Sequence, residues 1–202
     1  MRIPVVDTVN HAKASTMLAG QHFASAVRVA GDMKAAAPDS PERRLAAARV
    51  MDEVDHGVIA TKDVPGVGFI PYAGPALTAY SIARKLLMGV SHTPVGNDTH
   101  PVLAAANLLG ASEHLQSAME IHAEGHVSRA ERMQAVMLVD EAISDAKLGY
   151  RLARHPQGEA EALAILTGTR QLVDDRRAVD PATITTATQL LEQAATAAFP
   201  GA

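Results

Sequence analysis

Two stretches of this chain, SPERRLAAARVMDE at residues 40–53 and SRAERMQAVMLVDE at residues 128–141, predict both its helical fold and an internal duplication. Each stretch begins with a serine, whose hydroxyl can accept a hydrogen bond from a backbone amide at the start of a helix. Pro41 suits the first helical position because no amide hydrogen is needed there. In the second stretch, Glu131 completes a capping box with Ser128. Apolar residues then recur at spacings of three and four, the period of an amphipathic helix.

The same apolar spacing, interrupted by glycine, proline and capping residues, continues along most of the chain and predicts seven helices. No stretch alternates polar and apolar residues with the β-branched enrichment typical of strands, so the predicted fold class is all-α. The expected helices cover approximately residues 8–36, 41–59, 74–89, 99–125, 128–154, 158–177 and 180–198.

Three segments of the first half align in order with three segments of the second half. In order along the chain, the three pairs of segments are identical at three of eight, five of fourteen and four of twelve positions. The residue numbers of the aligned positions differ by 92, 88 and 86. Loops of different length in the two copies would change the difference in residue number in this way. The sequence therefore predicts one domain over residues 1–202, with two three-helix repeats, about 7–89 and 99–177, and a terminal helix at 180–198 that caps them. The aligned pairs are 22–29 with 114–121, 40–53 with 128–141, and 76–87 with 162–173.

The composition is that of a globular protein and excludes several classes. Of 202 residues, 48% are hydrophobic and 20% charged, and the alanine-rich composition is in the style of a bacterial protein. A net charge of −4 without a concentrated basic face argues against nucleic-acid binding. The lack of cysteine excludes disulfides, thiolate metal sites and cysteine nucleophiles. The N-terminus lacks the apolar core of a signal peptide, so we expect a cytoplasmic protein, with signal-independent secretion left open.

The predicted duplication preserves polar residues that could bind a metal. Neutral imidazoles and carboxylates are the ligands that hold Zn, Mn or Fe between helices, and the two halves could bring one histidine and one acidic pair each to a common site. The candidate ligands are His22, Asp52, Glu53, His114, Asp140 and Glu141.

An alternative is that the acidic residues pair with arginines at the surface and that the histidines bond to carbonyls, so no cofactor is assured. A ferritin-like centre is disfavoured because it needs Glu-x-x-His on two helices. Only Glu53 and His56 have that spacing, and Ser144 stands at the equivalent position of the second half.

Residues 64–83 form a run of twenty residues without a charge, interrupted by three prolines and three glycines. Such a run is long enough to cross a bilayer, but the interruptions argue against an unbroken helix. We expect it instead to supply an exposed apolar surface of the kind that marks interfaces. The candidate interface residues are Phe69, Ile70, Tyr72, Leu77 and Tyr80.

The leading functional hypothesis is a non-catalytic helical interaction or scaffold protein that binds a protein partner, or a second copy of itself, through this apolar segment. Two alternatives stay open: a metal- or small-ligand-binding helical enzyme with a pseudo-symmetric His/Asp/Glu site, and a membrane-active secreted effector. The sequence contains no nucleophile elbow, phosphate-binding loop or dinucleotide fingerprint, and their absence favours a non-catalytic protein over an enzyme.

Overall fold

The protein is helical throughout the residues that the structure, a computed structural model, describes: 4–64, 70–88, 99–124, 126–153 and 157–199. A short 3-10 turn, Thr61–Asp63, follows the second helix, and no strand occurs in these ranges. The all-α prediction is thereby confirmed. The seven helices are α1 (Pro4–Ala35), α2 (Pro41–Ala60), α3 (Ala73–Met88), α4 (Thr99–Ala123), α5 (Arg129–Ala153), α6 (Glu159–Asp174) and α7 (Pro181–Ala198).

Helices α2 and α5 begin at the predicted capping serines, whereas α1 begins at Pro4, four residues before its predicted start. The Ser40 hydroxyl accepts a hydrogen bond from the Arg43 amide at 3.2 Å, which fixes the start of α2. At the start of α5, the Glu131 amide donates to the Ser128 hydroxyl at 3.2 Å, and the Ser128 amide donates to the Glu131 carboxylate at 2.6 Å. This reciprocal pair is the predicted capping box.

Four of the helices form the centre of the protein. Helix α1 packs against α2, and α4 packs against α5; the two pairs meet because α2 also contacts α4 and α1 also contacts α5. Helix α3 lies against α1 and α2, α6 lies against α5, and α7 covers α4, α5 and α6. The duplication and the single-domain organisation stay predictions, but each half contributes one helix pair to this centre.

Small residues let the central helices approach closely. A side chain added at Gly57 would place its Cβ 2.7 Å from the Phe23 ring, and one added at Gly149 would place it 2.6 Å from Leu108. Glycine is therefore required at these two crossings of α1 with α2 and of α4 with α5. The surrounding core consists mainly of alanine and leucine, and each fully buried leucine contributes about 1.5–3 kcal/mol. This packing fixes the position of the polar side chains between the four helices.

The predicted interface residues have different environments. Ile70 is only 4% exposed and lies in the same core cluster as Leu18, so it does not belong to an exposed surface. Tyr80 is half-buried against that core cluster, whereas Tyr72 and Leu77 are 56% and 42% exposed. Phe69 lies outside the described residues. Within the described part of the chain, we find no helix with both the length and the apolarity needed to cross a membrane.

Candidate metal centre

Six polar side chains converge between the four central helices. Helix α1 supplies one histidine, α2 a glutamate and a histidine one turn apart, α4 one histidine, and α5 a glutamate and an aspartate one turn apart. The spacings of three on α2 and four on α5 place both members of each pair on one helix face. Four of the six are buried and the other two, His56 and Glu141, expose only 12% and 15% of their side chains, which is uncommon for ionisable groups unless they are paired or bind a metal. The residues are His22, Glu53, His56, His114, Glu141 and Asp145.

The three imidazoles and three carboxylates alternate around a closed ring, so each group faces two groups of the other kind. Every neighbouring nitrogen and oxygen pair lies between 2.9 and 3.9 Å. In order around the ring, the separations are His22–Glu53 2.9 Å, Glu53–His114 3.9 Å, His114–Asp145 3.1 Å, Asp145–His56 3.0 Å, His56–Glu141 3.6 Å and Glu141–His22 2.9 Å.

Three atoms of this ring are buried without a hydrogen-bond partner: both ring nitrogens of His114 and Oδ2 of Asp145. The His114 Nδ1 and Asp145 Oδ2 atoms are 3.1 Å apart, within ion-pair distance, but not oriented for a hydrogen bond. A buried polar atom without a partner costs about 1–3 kcal/mol. Two ligand atoms about 2.1 Å from one metal ion lie about 3.0–3.4 Å apart at the usual coordination angles. This separation therefore fits two ligands of a common ion.

The carboxylates favour protonated imidazoles in the cluster. Burial lowers the pKa of His114, but the nearby Asp145 and Glu53 carboxylates outweigh burial and raise it to about 10. The same balance, with Asp145 and Glu141 as the main partners, raises the pKa of His56 to about 11. The pKa of His22 is also raised, because Glu141 and Glu53 outweigh its burial.

The carboxylates respond in the opposite sense. Burial acts to raise the pKa of Glu141, but His22 and His56 lower it to about 2, and the pKa values of Glu53 and Asp145 are lowered in the same way by their histidine neighbours. Asp52 differs, because burial and the Asp145 charge raise its pKa to about 7. The contacts around the ring thus favour imidazolium facing carboxylate, and a metal ion could replace the protons that supply the positive charge.

A polar cavity of about 460 Å³ borders one side of the ring, between α1 and α4. His22, Glu53 and His114 line its floor, whereas His56 and Asp145 are not among its lining residues. Its remaining walls carry mainly polar side chains: Gln21, Ser25, Arg28, Glu113, Gln116, Ser117 and Glu120, with Ala24. A small polar molecule in this cavity would therefore reach two imidazoles and one carboxylate of the ring.

A second layer of polar groups holds Glu53 in place. The Ser25 hydroxyl donates to Glu53 Oε1 at 2.8 Å and accepts from the Arg28 guanidinium at 3.2 Å. At the same edge of the cavity, the Glu113 carboxylate accepts a hydrogen bond from Arg49. Such outer partners orient a ligand and tune its basicity in metal sites.

The structure brings four of the six predicted ligands together: His22, Glu53, His114 and Glu141. Asp52 lies beside them, its Oδ1 atom 3.9 Å from His56 Nε2. Asp140 does not belong to the site. It lies on the surface, half-exposed, and accepts a hydrogen bond from Arg170 at 3.0 Å, because it is one residue, and so about 100°, away from the inward-facing Glu141.

The cluster also contains His56 and Asp145, which the sequence analysis did not include. The sequence pattern Glu-x-x-His, formed by Glu53 and His56, could have indicated His56 as a ligand. Asp145 lies one turn after Glu141, so a search for acidic residues four apart would have found it.

The fold and this ring define an all-helical protein with a buried histidine and carboxylate cluster that could hold a metal ion. No protein-family model matches the chain, and the searches of curated protein sequences and of solved structures gave no significant match either. The chemistry of the site is therefore the basis for a functional proposal.

Proposed function

We propose that this protein is a metal-dependent enzyme that binds Zn, Mn or Fe in the histidine and carboxylate ring and acts on a small polar substrate in the adjoining cavity. The observation that carries the proposal is the set of buried, unpartnered ligand atoms on His114 and Asp145, within a ring whose nitrogens and oxygens have the spacing of metal ligands. In the absence of an ion these two side chains form an ion pair at 3.1 Å without a well-oriented hydrogen bond, a geometry that suits two ligands of one ion.

The donor set limits the choice of ion. Imidazole suits Zn and Fe, and carboxylate suits Mn, so a mixed nitrogen and oxygen set points to these metals. Two histidines and one carboxylate with open positions are typical of non-haem iron enzymes that bind small reactants at the metal. His22, His114 and Glu53 provide such a set at the floor of the cavity.

The cavity supports an enzyme over a purely structural metal site. A structural ion is closed off by protein ligands, whereas a catalytic ion keeps a position open to substrate. The cavity beside His22, Glu53 and His114 leaves room for that position, and its serine, glutamine and charged side chains favour a polar ligand. A bound ion would polarise such a ligand as a Lewis acid.

The first test is native mass spectrometry together with elemental analysis of untagged protein prepared without chelator. At least one ion per chain is expected, and the content is expected to fall in the His22→Ala/His114→Ala double variant. His100→Ala is the matched control, because His100 is an exposed residue of the same helix α4. A wild-type protein that neither retains nor takes up Zn, Mn or Fe would overturn the proposal, as would a double variant with full wild-type content.

A second test addresses the open position. Protein loaded with Co²⁺ is titrated with azide, which changes the visible spectrum when it binds the ion. Ser117→Leu fills part of the cavity without removing a ring residue, so azide affinity is expected to fall while Co²⁺ content stays at the wild-type level. Circular dichroism checks that each variant keeps its helix content. Unchanged azide affinity in Ser117→Leu would argue against access through this cavity.

Helix α3 and the turn before it favour a second candidate function, association with a protein partner or a second copy. Tyr72, Leu77, Ile82 and Leu86 expose between 37% and 56% of their surface although they are large and apolar. Such surfaces are common at interfaces. Replacing Tyr72 and Leu77 by serine, and leaving buried Ile70 intact, is expected to abolish any oligomer seen by analytical ultracentrifugation. A sedimentation profile that does not change would reject this candidate.

A further inference from the structure

A second cavity, of about 370 Å³, lies between the turn that joins α4 to α5 and the turn that follows α6. Three arginines line it: Arg132 from the first turn of α5, and Arg176 and Arg177 from the turn after α6. Among its described lining residues, Glu124 is the one carboxylate, and none also lines the cavity beside the ring. A cavity whose charges are mainly of one sign concentrates ions of the other sign.

The three arginines of this cavity are not neutralised by neighbouring carboxylates. Four other arginines form ion pairs within the described part of the chain, but Arg132, Arg176 and Arg177 form none there. The preceding Asp174 pairs with another arginine at 3.5 Å and does not line the cavity. Positive charge thus gathers here although the chain carries a net charge of −4. An anion bound among the three guanidinium groups would offset their mutual repulsion.

Backbone hydrogen bonds hold two of the arginines in place. Arg176 has a left-handed conformation, with a φ of 58°, which is uncommon for a residue other than glycine and ends α6. The Arg176 amide donates to the Val173 carbonyl at 3.2 Å, and the Arg177 amide donates to the Leu172 carbonyl at 2.8 Å. From α4, His122 Nε2 donates to the Arg177 carbonyl at 2.9 Å. A turn fixed in this way reduces the entropy lost when its side chains bind a ligand.

We infer that this cavity binds the phosphate group of a small molecule. Three guanidinium groups and one carboxylate leave two positive charges, not counting His122. A phosphate monoester carries a charge of about −1.5 to −2 at pH 7 and has three acceptor oxygens, so it matches this balance. Guanidinium groups also bind phosphate through paired hydrogen bonds. A single carboxylate brings only one charge and two oxygens. The inference goes beyond the proposed function and does not depend on it.

Calorimetric titration of the full chain at neutral pH and constant ionic strength tests the inference, with inorganic phosphate, glycerol 3-phosphate and acetate as probes. One phosphate per chain is expected, with acetate binding at least tenfold more weakly. Tighter binding of glycerol 3-phosphate than of inorganic phosphate would assign the site to a phosphate ester, and the reverse order to the free ion. Acetate binding as tightly as both phosphates would overturn the inference.

Variants locate the bound phosphate. Arg132→Gln/Arg177→Gln is expected to weaken binding at least tenfold. Arg44→Gln is the matched control and should change nothing, because Arg44 is exposed, does not line the cavity, and stands four residues after Ser40 as Arg132 does after Ser128. Glu124→Gln should tighten binding, a gain that misfolding cannot produce. Equal weakening by Arg44→Gln and the double variant would indicate general attraction to the surface and overturn the inference.

A last variant separates this cavity from the metal site. His22→Ala/His114→Ala is expected to keep phosphate binding at the wild-type level, because the two cavities have different lining residues. Phosphate binding lost in this variant and kept in Arg132→Gln/Arg177→Gln would place the phosphate at the ring and overturn the inference. Phosphate binding by protein that takes up no metal would support the inference and leave only the proposed function overturned.

Discussion

Binding of a metal ion by His22, Glu53 and His114 should release protons from both histidines near pH 6. At that pH the imidazole of His114 is protonated, because its pKa is about 10, and so is the imidazole of His22, whose pKa is raised above 6.5. An imidazole binds a metal only in its neutral form at the ligating nitrogen. An ion bound to both histidines must therefore displace one proton from each.

The expected magnitude follows from the number of protons. Each released proton makes the apparent affinity rise about tenfold per pH unit, since one pKa unit corresponds to about 1.4 kcal/mol. The proton on His114, whose pKa is about 10, predicts an increase in affinity of about tenfold between pH 5.5 and 6.5, and the raised pKa of His22 adds to it. The carboxylates do not add to this slope, because the pKa of Glu141 is about 2 and that of Glu53 is lowered, so both stay ionised throughout.

Isothermal titration calorimetry of Zn²⁺ or Mn²⁺ binding at pH 6.0, in two buffers with different ionisation enthalpies, counts these protons directly. Titrating a chelator of known proton release in the same buffers serves as the control. A heat that does not depend on the buffer, together with an affinity that changes less than about threefold between pH 5.5 and 6.5, would refute the assignment of His22 and His114 as ligands.

Three further outcomes are expected. In the metal-free protein, the raised pKa values of His56 and His114 contribute stability that is fully present below about pH 6.5 and is lost as the pH rises through about 10 to 11. The melting temperature should therefore fall over that alkaline range, and it should fall less when metal is bound. Gly149→Ala should lower the free energy of unfolding in urea by about 1–2 kcal/mol, because its Cβ would lie 2.6 Å from Leu108. Gly168→Ala, whose Cβ would have no atom within 4 Å, should raise the free energy of unfolding by about 0.5–1 kcal/mol. Glu141→Gln should weaken metal binding at least about tenfold, while the neighbouring Asp140→Asn should leave it unchanged.

The fold was predictable because its signals are local. Helix ends depend on capping residues that stand within one turn, and the Ser40 and Ser128 caps and the proline at the start of α7 set boundaries within a few residues of the observed ones. The contacts between helices are not local. Ile70 is buried by contact with α1, about 50 residues earlier in the sequence, and an uncharged run of sequence does not distinguish a buried side chain from an exposed one.

The site was predictable only in part, because the predicted ligands depend on how the sequences of the two halves are aligned. The sequence alignment pairs Glu53 with Glu141, 88 residues apart, but His22 and His114 are 92 apart. Within the predicted duplication, an offset of 92 pairs Glu53 with Asp145 instead; His22 lies 2.9 Å from Glu53, and His114 lies 3.1 Å from Asp145.

Two glycines have the same separation in the sequence. Gly57 and Gly149 are also 92 residues apart, and each stands where the second helix of a pair meets a large side chain of the first. The two offsets differ by four residues, about one helical turn, which keeps a side chain on the same helix face. Glu141 consequently lies in the ring even though its sequence match is shifted by a turn, whereas Asp140, on another face, pairs with Arg170 at the surface. Aligning the sequences on the Asp-Glu pair common to both helices therefore indicated Asp140 and Glu141 and left out Asp145, one turn further along α5.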